Sequence, residues 1–183
     1  DITGLNISEC VIVLKKLLDK GNQVTIVSKP RLDMVKFLAV ALMEYQPQIT
    51  FRFSIGSVSD AVLKFWEPNA PSFQERFLSL IHCFEQGYKT SVSCEPYLDG
   101  LVYLVYENCI DFVNESFWIG KLKNFDSRVD TSEISQSERD NYVQPLLDAS
   151  TDQAVRAIYE TMKDRPLIRW KDSMRKIIAK EQK

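Results

Sequence analysis

Phe51-Arg52-Phe53-Ser54-Ile55-Gly56-Ser57 is the stretch that decides the fold. It alternates apolar and polar residues before a glycine, and the side chains of a strand alternate between its two faces. The apolar residues therefore face one neighbour, whereas Arg52 and Ser54 face another. Taken alone, the stretch would also suit an edge strand with one face in water.

Two later stretches repeat this pattern. In residues 91–95 and 114–120 the polar or small residues again share one face; they are Ser91, Ser93, Glu95, Asn114, Ser116, Trp118 and Gly120. Helical segments separate the strands, which predicts a parallel sheet covered by helices. The polar face lies away from those helices, so we expect it to line a site.

The succession of strands and helices predicts an α/β fold. Strands are expected near residues 23–29, 49–55, 90–97 and 111–122. About four parallel strands with helices outside are too few to close a TIM barrel, so we expect a partial (β/α) barrel. Residues 1–125 would form this barrel, and residues 126–183 a C-terminal helical extension packed on it.

Composition indicates an ordinary globular protein. The chain has 183 residues, of which 45% are hydrophobic and 26% charged, and its formal net charge is −2. No apolar run reaches the length of a membrane span, so we expect a cytoplasmic protein without a membrane partner. The four cysteines are too widely spaced for a C-x2-C pair and are expected to be free thiols.

The charge is uneven along the chain. The segment from Arg165 to Lys183 carries seven Lys and Arg residues against Asp172 and Glu181. A solvated helix face is the first interpretation of this segment, and a nucleic-acid contact is the second.

Chemically distinctive residues end the predicted strands. They are Lys29, Ser54, Gly56, Glu95, Gly120 and Lys121. In a barrel, ligands bind where the carboxyl ends of the strands open. A cation and a hydroxyl suit a carboxylate, and a carboxylate suits an ammonium or ribose hydroxyls. Glycines would let a base approach the backbone. This set predicts a zwitterionic amino acid or a nucleoside as ligand.

A Schiff-base lysine at Lys29, as in an aldolase-type barrel, remains an alternative.

Five blocks in a fixed order resemble the radical S-adenosylmethionine (radical SAM) superfamily, in the branch that includes spore photoproduct lyase. These blocks are Gly21-Asn22 with Ser28-Lys29-Pro30, Phe51 to Ser57, Trp66 to Arg76, Gly87 to Pro96, and Trp118-Ile119-Gly120-Lys121. The resemblance covers nearly the whole chain and implies that it binds S-adenosylmethionine and a substrate. It also implies a [4Fe–4S] cluster in the complete protein.

The resemblance also implies roles for individual residues. Lys29 and Ser54 would contact the methionyl group of S-adenosylmethionine. Lumen residues near this cofactor or the substrate would be Arg52, Ser91, Ser93 and Glu95. Trp118 and Gly120 would form the wall beside the adenine. No catalytic residue and no metal ligand is assigned within the chain.

One departure from the family is decisive. The C-x3-C-x2-C loop that holds the cluster in such enzymes does not occur in this sequence. The chain resembles the C-terminal two thirds of such a protein, so the cluster ligands are expected upstream of Asp1.

In the complete, lyase-like protein the activity would be reductive cleavage of S-adenosylmethionine followed by hydrogen abstraction. A non-catalytic βα binding or interaction domain is the alternative. The spore photoproduct lyase likeness makes DNA one candidate substrate.

Two further expectations concern packing. Trp66 is expected to be largely buried against the helix that begins after Ser72, and Glu67 to cap or pair locally. The edge at residues 23–28 lacks the neighbour that a longer barrel would provide. We therefore expect either self-association through this edge or coverage of the opening by residues 167–170, and we favour self-association.

Overall fold

Five parallel strands form one open sheet in chain order, β1-β2-β3-β4-β5, in a computed structural model that describes residues 1–179. The strands are β1 (Val24–Ser28), β2 (Ile49–Ser54), β3 (Lys89–Cys94), β4 (Ser116–Ile119) and β5 (Ile168–Trp170). The longer helices are α1 (Ile7–Leu18), α2 (Leu32–Ala41), α3 (Asp60–Trp66), α4 (Phe73–Glu85), α5 (Val102–Cys109), α9 (Asp152–Met162) and α10 (Asp172–Ile178). Three short helices, α6 (Phe125–Arg128), α7 (Gln136–Glu138) and α8 (Gln144–Ala149), lie between β4 and α9.

The predicted α/β class with an open, partial barrel of parallel strands is confirmed. Helices cover one face of the sheet, and most side chains on that face are buried; they include Ile26, Phe51, Phe53, Val92 and Phe117. Helix α4 packs against both β2 and β3, as expected of a helix that connects two parallel neighbours. The residues between these apolar ones therefore lie on the opposite face, which we call the luminal face.

Several helices begin where a hydroxyl can satisfy the free amide groups of the first turn. The side chains of Ser59, Ser72 and Thr151 accept hydrogen bonds from backbone N–H groups at the starts of α3, α4 and α9. Such caps are usually worth about 1 kcal/mol each. These caps fix the residue at which the helix after each loop begins. They therefore also anchor the loops at the carboxyl end of the sheet.

The sheet has one strand more than the sequence predicts. Residues 168–170 form β5, which pairs in parallel with β4 through Phe117 and Ile168. One expectation from the sequence is that the segment from Leu167 to Trp170 covers part of the opening of the partial barrel. The segment instead extends the sheet beside β4, so the C-terminal part of the chain contributes a strand as well as helices.

No helix within residues 1–179 is both long enough and apolar enough to span a membrane.

Strand β1 lies at the other edge of the sheet, where β2 is its only strand neighbour within the described residues. Val27 is 56% exposed on this edge. A groove of about 320 Å³ runs between α1 and β1 and is lined by apolar side chains that include Ile2, Val13 and Ile26. An unpaired strand beside an apolar groove is the kind of edge that promotes association.

We predict that the chain self-associates through β1. Sedimentation velocity at micromolar concentration should show species larger than a monomer. Val27→Lys should shift the distribution toward monomer, because a charge on an edge strand opposes pairing with another strand. The matched control is Val40→Lys, which places the same charge at a valine that is 75% exposed on helix α2 and not on the edge strand. A wild-type chain that sediments only as a monomer would contradict the prediction.

Candidate functional site

The luminal face presents polar side chains in successive rows across the sheet. The register aligns Arg52 with Ser91 and Ser91 with Ser116. One step toward the carboxyl ends, it aligns Ser54 with Ser93, Ser93 with Trp118, and Trp118 with Arg169. Side chains of a parallel barrel form layers of this kind because neighbouring strands share one pleat.

Hydrogen bonds link the first of these rows. The Arg52 Nε–H donates to Ser91 Oγ at 3.0 Å, and the Ser91 hydroxyl donates to the Ser116 carbonyl at 2.7 Å. The Ser116 hydroxyl also contacts the Glu115 carboxylate, and Arg52 Nη2 lies 3.6 Å from Glu115 Oε2. Ser91 and Ser116 are buried, so these bonds satisfy hydroxyls that have little access to water.

Trp118 lies on the luminal face of β4, beside the row that Arg52, Ser91 and Ser116 form. Its Nε1–H donates to Ser116 Oγ at 2.9 Å, which orients the indole. The guanidinium of Arg52 lies 5.2 Å from the ring centroid, and Lys171 Nζ lies 5.1 Å from it. Both distances are within the range of a cation–π interaction. The indole therefore helps to hold two cations on the luminal face.

An ion pair lies beyond Trp118, at the carboxyl ends of the strands. Lys171 follows β5, and its Nζ lies 2.7 Å from Glu95 Oε2. The two residues come from opposite sides of β4, and Gly120 lies between them. A Cβ on Gly120 would lie 2.9 Å from the Cγ and Oε1 atoms of Glu95, which is too close. The missing side chain therefore lets Glu95 reach across the strand to Lys171.

The glycines at the strand ends do not leave the expected space for a base. Gly120 is covered by Glu95, and a Cβ on Gly56 would lie 2.7 Å from the Pro96 carbonyl oxygen. The chain itself approaches both glycines because the loop after β3 crosses them. The amide of Leu98 donates to the Gly56 carbonyl at 2.9 Å, which holds this loop in place.

A second cluster lies at the ends of β1 and β2. The guanidinium of Arg76 is fully buried. It donates to the carbonyls of Pro71 and Ser54 at 2.9 and 3.0 Å, and to Glu67 Oε2 at 2.6 Å. Glu67 Oε1 lies 3.5 Å from Lys29 Nζ. Glu67 thus pairs with nearby cations, in agreement with its predicted local pairing.

Lys29 borders a cleft of about 280 Å³, which is also lined by Asp1, Trp66, Glu67 and residues 68–70. Ligand sites usually have volumes of about 300–1,000 Å³, so the cleft is large enough for part of a small ligand. Lys29 is 31% exposed in its side chain. Its ammonium is therefore accessible from this cleft.

Trp66 is mostly buried, in agreement with the packing prediction. Its packing against helix α4 in particular stays a prediction. The Trp66 ring makes edge contacts with Phe65 at 5.0 Å and Phe125 at 6.4 Å between centroids. Phe125 is the first residue of the short helix α6 after β4, and Trp66 is the last residue of α3 after β2, so this contact joins the segments that follow two strands of the sheet.

The structure therefore divides the predicted site residues between two clusters. One cluster around Trp118 holds Arg52, Ser91, Ser93, Glu95, Trp118 and Gly120. The other holds Lys29, together with the backbone carbonyl of Ser54. The Lys29 ammonium lies near Glu67, and the Ser54 carbonyl accepts a hydrogen bond from Arg76. A shared role of the Lys29 ammonium and the Ser54 hydroxyl stays a prediction.

Sequence reasoning missed four residues of these clusters: Arg76, Glu115, Lys171 and, as a site residue, Ser116. Lys171 follows an extended stretch, just as Lys29 does. Applying the strand-end rule to residues 167–170 would have found it. Arg76 gave no such signal, because an arginine within an amphipathic helix normally indicates an exposed face.

The basic residues near the C-terminus serve different partners. Arg165 contacts Glu107, Lys171 contacts Glu95, and Arg175 contacts Asp172 at 2.5 Å. Lys180 and Lys183 lie outside the described residues. A nucleic-acid partner stays a prediction, and these ion pairs reduce the free positive charge available for it.

The cysteines do not fit an iron–sulfur cluster. Cys83, Cys94 and Cys109 are buried in the core, and Cys10 lies on α1. Burial raises the pKa of the Cys109 thiol to about 12 and that of Cys94 well above its usual value. Such thiols are poor sources of the thiolates that bind metals. Within residues 1–179, His, Cys, Asp and Glu side chains form no group of three or more that could hold a metal ion.

Comparison with known protein families, with curated proteins and with solved structures finds no match to this chain.

We predict that buried Arg76 is a main support of this end of the sheet. Arg76→Met should lower the free energy of unfolding by roughly 3–5 kcal/mol, because it leaves a carboxylate and two carbonyls without their donor. Urea unfolding followed by circular dichroism would measure this.

The matched control is Arg165→Met, which removes an ion pair with Glu107 in which both side chains are more than 40% exposed. Its cost should not exceed about 1 kcal/mol. Equal losses in the two variants would show that Arg76 has no special structural role.

Proposed function

We propose that this chain is the S-adenosylmethionine- and substrate-binding portion of a radical SAM enzyme. The observation that carries the proposal is the polar luminal face, where Arg52 and Lys171 lie near the Trp118 indole and each pairs with a carboxylate. Reductive cleavage is not assigned to this chain, because its cysteines do not fit the cluster that such cleavage needs. The role proposed for these residues is therefore ligand binding.

The chemical groups of S-adenosylmethionine have counterparts on this face. Lys29 suits the methionyl carboxylate, since an ammonium and a carboxylate form a charge-assisted hydrogen bond. Glu95 suits an ammonium or ribose hydroxyls. Trp118 can stack on adenine or attract a sulfonium, as aromatic rings attract other cations.

The spacing of the two clusters supports a ligand with two recognisable ends. Lys29 follows β1 and Trp118 belongs to β4, three strand spacings away. Neighbouring strands lie about 4.8 Å apart, so the clusters are about 14 Å apart across the sheet. An extended conjugate of a nucleoside and an amino acid can bridge this span, with the cleft beside Lys29 at one end.

The charges on the luminal face also support a zwitterionic ligand. Lys171 pairs with Glu95, and Lys29 pairs with Glu67. A ligand that carries both a carboxylate and an ammonium can join such pairs, with its carboxylate beside a lysine and its ammonium beside a glutamate. It then leaves no charge unpaired in a partly buried site, which a ligand of single charge would do.

The proposal predicts that the chain binds S-adenosylmethionine and that Lys29→Ala weakens this binding by roughly 1.5–3 kcal/mol, the usual value of a hydrogen bond to a charged group. Isothermal titration calorimetry should therefore show a Kd about ten- to a hundredfold higher. Trp118→Leu should also weaken binding.

The matched control for Lys29→Ala is Lys163→Ala, which removes a lysine that pairs with Glu160 on a helix surface. It should leave the Kd unchanged. If the wild-type chain shows no heat of binding with S-adenosylmethionine, the proposed function is wrong. If Lys29→Ala binds as tightly as wild type, Lys29 does not contact the ligand.

A further inference from the structure

The buried Arg76 guanidinium and the partly exposed Lys29 ammonium share one carboxylate. Glu67 Oε2 accepts from Arg76 at 2.6 Å, and Glu67 Oε1 lies 3.5 Å from Lys29. The two oxygens of one carboxylate thus face two different cations. Moving Glu67 away from Lys29 would also strain its shorter contact with a buried charge.

Arg76 is itself fixed in three directions. Its side chain has no exposure to solvent, and its other donors hold the carbonyls of Pro71 and Ser54. The planar guanidinium has a rigid fork of donors, so these acceptors set its orientation. One of these acceptors is the carbonyl of Ser54, the last residue of β2. Arg76 therefore fixes the position of Glu67 relative to the sheet.

Lys29 has no such internal constraint. A lysine side chain has four flexible carbons and loses much rotational freedom when it is held in one place. Its backbone is fixed, since the Lys29 amide donates to Asp1 Oδ1 at 2.8 Å. The ammonium, however, faces the cleft, and Glu67 is the carboxylate paired with it in the described structure.

We propose that Arg76 and Glu67 are positioning residues that hold the Lys29 ammonium at the mouth of its cleft. Arg76 fixes Glu67 against the end of β2, and Glu67 fixes Lys29. A ligand carboxylate then meets an ammonium that is already in place, so less side-chain freedom is lost on binding. The benefit to S-adenosylmethionine binding rests on the function proposed above, whereas the positioning of Lys29 does not.

The positioning can be tested without any ligand. The full chain is treated with an N-hydroxysuccinimide ester, and acylation of each lysine is followed by mass spectrometry. In Glu67→Gln, acylation of Lys29 should become about fivefold faster, because a partly exposed ammonium loses its carboxylate partner. Arg76→Lys should give a change in the same direction, because lysine lacks the fork that orients Glu67.

Glu160→Gln is the matched control. It makes the same chemical change in the pair between Glu160 and Lys163, whose atoms lie 2.6 Å apart. It should speed acylation of Lys163 and leave Lys29 unchanged. Circular dichroism establishes that each variant is folded, and if Arg76→Lys is not, Glu67→Gln decides alone. An unchanged rate at Lys29 in folded Glu67→Gln would overturn the proposal.

A double-mutant cycle tests the consequence for the ligand. Glu67→Gln should weaken S-adenosylmethionine binding about fivefold in the wild-type background. It should have no effect when Lys29 is already alanine, because the positioning acts through Lys29. Tighter binding of Glu67→Gln would show that Glu67 competes with the ligand, and an equal loss in both backgrounds would show that it acts elsewhere. Either result would overturn the proposal.

The two proposals fail in different ways. If the wild-type chain does not bind S-adenosylmethionine, the proposed function is wrong, and the acylation rates still decide whether Glu67 positions Lys29. If the chain binds S-adenosylmethionine but Lys29 reacts at the same rate in Glu67→Gln, the function stands and the positioning is wrong.

Discussion

The parallel register from β2 to β4 is the constraint on which both faces of the sheet depend. It places Phe51 and Phe53 in the helix-covered core, and it aligns Arg52 with Ser91 on the luminal face. A shift by one residue would exchange these faces. Burial of a phenylalanine side chain is worth about 1.5–3 kcal/mol, so the core holds the register firmly. The register that the core holds then also positions the luminal hydroxyls and charges.

Opposite charges on the luminal face are arranged as pairs. Arg52 lies near Glu115, Lys171 contacts Glu95, and Lys29 faces Glu67. Each of these cations retains some exposure, whereas Arg76 has none. The partly exposed cations can therefore contact a ligand, while the buried one cannot leave its partners without a large desolvation cost. This difference separates groups suited to bind a ligand from a group suited to hold the fold.

Local patterns in the sequence determined the class of the fold and the direction in which most site residues point. Alternation predicted that Arg52, Ser91, Glu95 and Trp118 share a face, because a strand of any register must alternate. The rule that strand ends carry ligands placed Lys29 correctly at the carboxyl end. The proposed family and its cofactor came from resemblance alone, and they stay predictions.

Only the tertiary structure decided which of these residues meet. Strand β5 is three residues long, too short to show a period, and it becomes a strand because β4 offers an unpaired edge. The contact between Lys171 and Glu95 follows from that pairing and from the bare Cα of Gly120. The burial of Arg76 depends on two carbonyls and a carboxylate that folding assembles around it. Contacts between residues far apart in the chain leave no local sequence pattern. The periodicity of a sequence reflects the geometry of a single helix or strand, and not which other elements pack against it.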